Sequence, residues 1–405
     1  MPEPVTRAGG AAPRTTVPSR PQAGGVQQRR ALSGIRTQDV LALVGALAAA
    51  LCTTGVLWTQ VAPFSGIIGF AVVSWCLFVL IYAVLVSFDE NRPTVRDRIA
   101  SVVVHSLGAL VLLALIDVVG YTFLRGWSAL VHLNFWTQDL STAGPLAPIT
   151  QGGVSHAIVG TLIEVGIAMG IAAPLGLLAA VFMHEVPGRL ARLVRTVVDA
   201  MTALPDVLAG LFIYATLILT FGWGFSGRAA GCALAITVLP IVCRTSDVVL
   251  RLTPGGLTEA SYALGSGQWR TVLFVTLPTA RSGLATAVIL GTARAIGETS
   301  PVLLTAGATG NMNTDPLHGP MMSLPLLAYL SVLQPEQAVV TRGFGAACAL
   351  LILVVVLFLI ARIIGGRGAG QLTARQQRRR AYGSARDLAR FTRQHAPAGY
   401  PKEES

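Results

Sequence analysis

Charge is scarce in this chain. Only 12% of its 405 residues are Asp, Glu, Lys or Arg, about half the roughly 25% of an ordinary soluble domain. Lysine is all but missing, since Lys402 is the single one and every other basic residue is arginine. No G-x-x-x-x-G-K-[ST] run occurs, so the chain has no P-loop to cradle a nucleotide. It is expected neither to hydrolyse ATP itself nor to bind a cofactor. Cysteine is limited to Cys52, Cys76, Cys232, Cys243 and Cys348, all inside apolar runs and at spacings that suit no metal. They read as buried thiols acting as small hydrophobes. His105, His156 and His184 show no ligand spacing either, and no acid/base cluster stands near an interface, which disfavours a membrane-embedded enzyme acting on lipid or phosphate esters.

Apolar sequence is what remains. Hydrophobic residues make up 53% and the mean hydropathy is +0.64, the composition of an all-α polytopic membrane protein. A spanning helix needs about 20 mostly apolar residues. Candidate spans fall near 39–59, 64–88, 100–124, 156–183, 205–222, 228–247, 282–307 and 343–365, eight in all. The fifth and sixth are short or interrupted by Pro205 and Pro240. Residues 1–38, rich in Pro, Gly, Arg and Gln, lack the form of a cleavable signal and are expected to be a disordered basic tail.

Basic residues fix the expected orientation. With the N-terminus in the cytoplasm, the cytoplasmic segments carry 24 Arg or Lys residues and the external ones only Arg125, Arg228 and Arg342. The positive-inside rule then puts both termini in the cytoplasm. The net charge of +11 is concentrated in these segments, so the tail QQRRRAYGSARDLARFTRQ is read as drawn to anionic lipid rather than to nucleic acid. Residues 184–205 form an amphipathic stretch, with Leu190, Leu193, Val194, Val197 and Val198 at helical spacing and Arg189, Arg192 and Arg195 between them. In the long external loops, Trp127, Phe135 and Trp136 suit either interfacial anchors or a docking surface for an external partner.

One stretch, residues 257–307, joins a polar, turn-rich segment directly to a charged apolar helix. Within it, Glu259-Ala260-Ser261-Tyr-Ala-Leu-Gly265 is followed after nine residues by Val275-Thr-Leu277-Pro278. Glu259 is expected near the start of a short helix, where the dipole favours a carboxylate. Small Ala260 and Ser261 admit a close neighbour, and Gly265 permits a left-handed turn. Arg294, expected midway along its span, is costly there by about 2.5–3.5 kcal/mol, and Glu298 at i+4 can pair with it. Arg244 and Asp247 read as a second pair at i+3. A guanidinium offers planar donors to an oxyanion, while a carboxylate partner weakens binding enough for release. The plainer reading of all four is ion pairing between helices. Glu164 and Asp117 are expected to face the bundle or a vestibule, and Asp206, after Pro205, to cap a helix start.

The Glu259–Pro278 spacing resembles the EAA loop of ABC-importer permeases. Together with VGTL (159–162), APLGLLAAVFMHE (173–185), LPDVLAGLF (204–212), LPIVCRTSD (239–247), ARAIGETSPVLLTAG (293–307) and SLPLLAYL (323–330), it makes residues 100–365 similar to the PstA phosphate-specific transport permeases. That resemblance implies a type I ABC-importer bundle: a six-span permease domain at 100–365, two extra N-terminal helices at 39–99 and a basic tail at 366–405. It implies phosphate as the substrate, with Arg244, Asp247, Arg294 and Glu298 on its path and Glu259, Ala260, Ser261, Gly265 and Pro278 coupling to an ATPase. The implied partners are a PstC-like permease in a heterodimer, a PstB-like ATPase dimer that uses the ATP, and a PstS-like phosphate-binding protein, all at a bacterial plasma membrane. Three positions depart from the pattern: Asp206 stands where Ser is usual, Asp247 where Glu is usual, and Glu164 where an uncharged residue is expected. A permease for another oxyanion, or a passive anion channel that would leave the EAA loop without a purpose, are the competing readings.

Overall fold

The computed structural model describes residues 37–61, 66–365 and 374–394. The expected N-terminal tail lies almost wholly outside these residues, as do parts of the C-terminal one. Among the described residues every regular element is helical. Two compact units divide the chain at residues 114 and 115.

The first unit contains α1 (Thr37–Val56), α2 (Ile67–Asp89) and the beginning of α3 (Arg92–Leu130). Ala46 and Ala50 on α1 are small enough to admit Phe78, Tyr82 and Val86 of α2, and these five form a local core. Arg98 on α3 ties the unit together through Asp39 and through Glu90 at 3.1 Å.

The second unit continues with α4 (Leu133–Thr137), α5 (Ser155–Glu185), α6 (Arg189–Ala203), α7 (Asp206–Ile213), α8 (Gly227–Arg251), α9 (Gly255–Ala263), α10 (Gln268–Thr271), α11 (Leu277–Ile296), α12 (Ser300–Thr305), α13 (Leu324–Val332), α14 (Gln337–Gly365) and α15 (Ala374–Gln394). Its axis is the α5–α8 pair. Along α5 every fourth residue from His156 to Ala180 is buried: His156, Gly160, Glu164, Ala168, Ala172, Gly176 and Ala180. Small residues along such a stripe let two helix backbones approach closely, which is how helices associate where lipid removes the hydrophobic drive. On α8, Ala230 and Gly231 face α5, with Gly231 against Ile167 and the carbonyl of Glu164, while the equally small Ala229 and Ala233 pack against Ile213 and Ile218.

Among the described residues seven helices are long and apolar enough to cross a membrane, or eight if the bent pair Arg189–Ala203 and Asp206–Thr220 counts as one span. The expected span at 205–222 is the exception. Here α7 supplies eight residues and a π-helical run, Tyr214–Thr220, seven more. At about 1.5 Å per residue that is roughly 22 Å, short of a 30 Å hydrocarbon core. The run joins α6 through a bend of 100° at Leu204–Pro205. Proline has no N–H to continue the hydrogen bonding and fixes its own φ, so the chain turns there.

The expected span at 282–307 is displaced. The continuous helix runs from Gln268 to Ile296, including a π-helical turn at Val272–Thr276. That turn widens the helix just where Pro278 would crowd the carbonyl four residues earlier. The helix stops at Gly297, and α12 begins only at Ser300 with Pro301 inside its first turn. Hydropathy reads through this break because residues 300–307 are apolar. Arg294 consequently sits in the last turn of α11, not midway along a span.

Candidate translocation site and coupling knob

The knob is α9 with the turn that follows it. Its end is a complete Schellman cap: Ser266 N–H donates to Ser261 O at 3.1 Å and Gly265 N–H to Tyr262 O at 2.9 Å. Gly265 has φ +80°, as expected from its position in the motif. Glu259 is differently placed from the expectation. The helix begins at Gly255, after Pro254, and no acidic residue lies in its first turn. Glu259 is in the second turn, on the exposed surface, because Gly255-Gly256 are drawn into the helix that Pro254 starts. Ser261 Oγ meets Thr271 Oγ1 at 2.9 Å, fastening α9 to α10, and Gln268 Nε2 donates to Glu185 O at 3.0 Å at the end of α5. None of the α9 residues is buried. Leu257, Tyr262, Leu264 and Trp269 present apolar surface around the turn.

The charged residues assemble differently from their spacing. Arg244 and Asp247 do not pair. Helical side chains lean toward the N-terminus, so Arg244 points away from Asp247 and reaches α6, where Asp199 Oδ1 accepts from Nε at 2.9 Å and from Nη2 at 2.5 Å. Asp247 instead receives Arg251 at 2.9 Å, four residues on in the favoured acid-before-base order, and Arg195 of α6 at 3.6 Å. Two reciprocal pairs, Arg195–Asp247 and Asp199–Arg244, thus lace α6 to α8 in an antiparallel crossing.

Arg294 does pair with Glu298, at 2.7 Å from Nε. Its Nη2 also binds Asp206 Oδ2 at 2.6 Å. Asp206 is therefore no cap; as the first residue of α7 it turns its carboxylate across to α11. Sequence reasoning missed Asp199 and Asp206 as partners because they are 45 and 88 residues from the arginines they bind. The bend after α6 brings them in. The available signal was the i+4 spacing of Arg195 and Asp199 on one amphipathic helix.

Exposure separates structural pairs from available ones. The Asp247 side chain is only 12% exposed and has two arginines, an arrangement that holds helices together. Arg244 and Arg294 are half exposed at 53% and 49%, and exposed pairs contribute only about 0–1 kcal/mol each. Beside Arg294 lies a cavity of about 190 Å³ lined by residues of α6, α7, α8 and α11, with Asp206, Thr202 and Thr237 as its other polar side chains.

Other expectations resolve case by case. Glu164 faces the interior, almost wholly buried, and its Oε1 has no partner. Asp117 does not; it stands on an exposed stretch of α3. Phe135 is no interfacial anchor, being 1% exposed and packed into the core of the unit. Trp136 donates to Leu130 O at 3.0 Å, and Trp127 alone of the three is well exposed. On α6, Val198 is buried and Val194 packs beside it, while Leu190, Leu193 and Val197 stay exposed.

At the end of the bundle away from the knob the two long loops interlock. Leu140 N–H donates to Gly310 O at 2.9 Å, and Asp139 Oδ2 accepts from Met312 N–H at 3.0 Å. The Ser141 hydroxyl, donating to Asp139, holds that carboxyl below its usual range. Arg342, 4% exposed, clamps the carbonyls of Ala147, Pro148 and Gln151.

Residues 172–367 match the family described as binding-protein-dependent transport system inner membrane component. The phosphate transport system permease protein PstA 1 of Mycobacterium tuberculosis (strain CDC 1551 / Oshkosh) is 37% identical over 274 residues, 67% of this chain and 90% of that protein. PstA of Mycobacterium leprae (strain TN) is 36% identical over 264 residues, 65% of this chain and 86% of that protein. Among solved structures, a chain of the MetNI methionine ABC transporter in an inward facing conformation aligns with 53% of this chain and 93% of its own length, at 23% identity and a TM-score of 0.41.

Proposed function

The chain belongs to the PstA family of phosphate transport permeases, and from that premise we propose that it is the membrane subunit of an ATP-driven importer of inorganic phosphate, forming half of the translocation pathway. The observation that carries this reading is Arg294, half exposed beside a polar cavity and bound to two carboxylates. A guanidinium so held offers donors to an oxyanion, while its neighbours keep the binding weak enough for release. Arg244 with Asp199 extends the polar seam along α8.

Catalysis belongs to a separate chain in this reading, since the sequence has no P-loop. An ATPase dimer docks on α9, whose exposed apolar residues surround a rigid turn. That turn passes motion through α10 to α11, the helix whose last turn carries Arg294. A second, PstC-like permease completes the path, a PstS-like protein delivers phosphate at the interlocked loops, and both termini are cytoplasmic. The arginines of α15 lie against anionic lipid.

Arg294→Gln tests the pathway. In cells expressing the whole transporter, it is expected to reduce phosphate uptake at least tenfold while the complex still purifies intact. Full uptake by the variant removes Arg294 from the path. Uptake that survives loss of the ATPase subunit turns the reading toward a passive channel.

A further inference from the structure

The cavity beside Arg294 is unbalanced in a way the pathway reading does not explain. Its polar side chains are Arg294, Asp206, Thr202 and Thr237. Thr202 donates its hydroxyl proton to Val198 O at 2.9 Å and Thr237 donates to Leu234 O at 2.9 Å. Both hydroxyls therefore turn acceptor lone pairs, not protons, to the space they line. Pro240, also in the wall, has no N–H to give Ile236, so this turn of α8 adds a carbonyl acceptor and no donor. Asp206 accepts only. Arg294 is the one side-chain donor, and it is already shared between Asp206 and Glu298.

An anion entering this space must share Arg294 with Asp206, which brings two negative oxygens together. A fully deprotonated anion such as sulfate has no relief from that repulsion and nothing to offer the remaining acceptors. Hydrogen phosphate and dihydrogen phosphate carry a P–O–H, which donates to the Asp206 carboxylate while the other oxygens take the guanidinium. The volume of about 190 Å³ is near that of six water molecules at roughly 30 Å³ each, room for a five-atom oxyanion with some hydration.

We infer that Asp206 is a specificity residue: it restricts the Arg294 cavity to tetrahedral oxyanions that carry a proton and rejects those that do not. This rests on the phosphate reading above and names how the same site would choose its substrate. A site lined by acceptors discriminates against an analogue that cannot donate, because those acceptors lose their water partners to the bound anion and gain nothing in exchange.

The test is equilibrium binding of radiolabelled phosphate and of radiolabelled sulfate to the assembled, purified transporter without its delivery protein. Arsenate, which carries a proton at neutral pH, serves as a competitor. The unsubstituted transporter should bind phosphate, with arsenate competing and sulfate competing at least a hundredfold more weakly. Asp206→Asn, whose amide can also donate, should bind labelled sulfate at least tenfold more tightly than the unsubstituted transporter. Asp206→Glu keeps the acceptor and should keep the discrimination. Sulfate binding unchanged in Asp206→Asn, or raised equally in Asp206→Glu, overturns the inference. Absence of phosphate binding to the unsubstituted transporter instead defeats the phosphate reading, and the inference falls with it. Because the expected result is a gain of sulfate binding that Asp206→Glu does not share, a general loosening of the fold does not mimic it.

Discussion

Gly265 is the residue on which the shape of the knob depends. Its φ of +80° is open to glycine and costs an ordinary side chain about 1–2 kcal/mol. No other atom lies within 4 Å of where a Cβ would stand, so the penalty is one of backbone alone. Gly265→Ala should thus lower the melting temperature of the purified protein, and Gly265→Asn should recover part of the loss, since asparagine tolerates the left-handed region better. Equal melting of all three proteins would show the turn to be unstrained. At the same scale, Arg294 illustrates what spacing conveys. Glu298 at i+4 is readable from the sequence, and the pair forms. Asp206 is visible only as an acid after a proline, and its local position suggests a cap that does not form.

Helix packing sets the next scale. Small residues on α5 admit close neighbours, and a substitution along this helix is felt according to what it meets. A Cβ on Gly160 would collide with the backbone carbonyl of Met322, whereas one on Gly166, six residues along the same helix, meets nothing within 4 Å. Backbone cannot move aside as a flexible side chain can, so Gly160→Ala should destabilise by about 1–3 kcal/mol. Gly166→Ala should be neutral or stabilising by up to about 1 kcal/mol, because alanine loses less backbone freedom in a helix. Thermal melting of the two variants in one detergent compares them directly, and a reversed order would contradict the packing described. The bend between α6 and α7 is also an element-scale feature. It converts an amphipathic helix and a short apolar arm into a lever whose acids, Asp199 and Asp206, reach both arginines.

For the whole molecule, the two units differ in standing. Residues 1–114 have their own core of Ala46, Ala50, Phe78, Tyr82 and Val86, while the family match of residues 172–367 lies wholly in the other unit. A chain beginning at Arg92, the start of α3, is therefore expected to keep phosphate uptake within about twofold of the full protein when expressed with its partner subunits. Uptake assayed beside immunoblots for membrane level decides this, and loss of uptake at normal abundance would make the first two helices part of the transport machinery. The long helices themselves were legible, because about 20 apolar residues have few alternatives to spanning. The break at 297–299 was not, since hydropathy averages over three residues that end a helix.

What the sequence determined by itself was composition-level and motif-level: an all-helical membrane protein, the Glu259–Pro278 spacing, the left-handed glycine and the Arg294–Glu298 pair. These depend on local chemistry, within about one turn of helix or one stretch of twenty residues. Tertiary structure decided which acid meets which base. Asp199 and Asp206 reach Arg244 and Arg294 across 45 and 88 residues, through a 100° bend whose angle no spacing rule contains. It also decided that the cavity at Arg294 is rich in acceptors. Thr202 and Thr237 each give their proton to a carbonyl of their own helix, and which wall the remaining lone pairs face depends on how the helices pack.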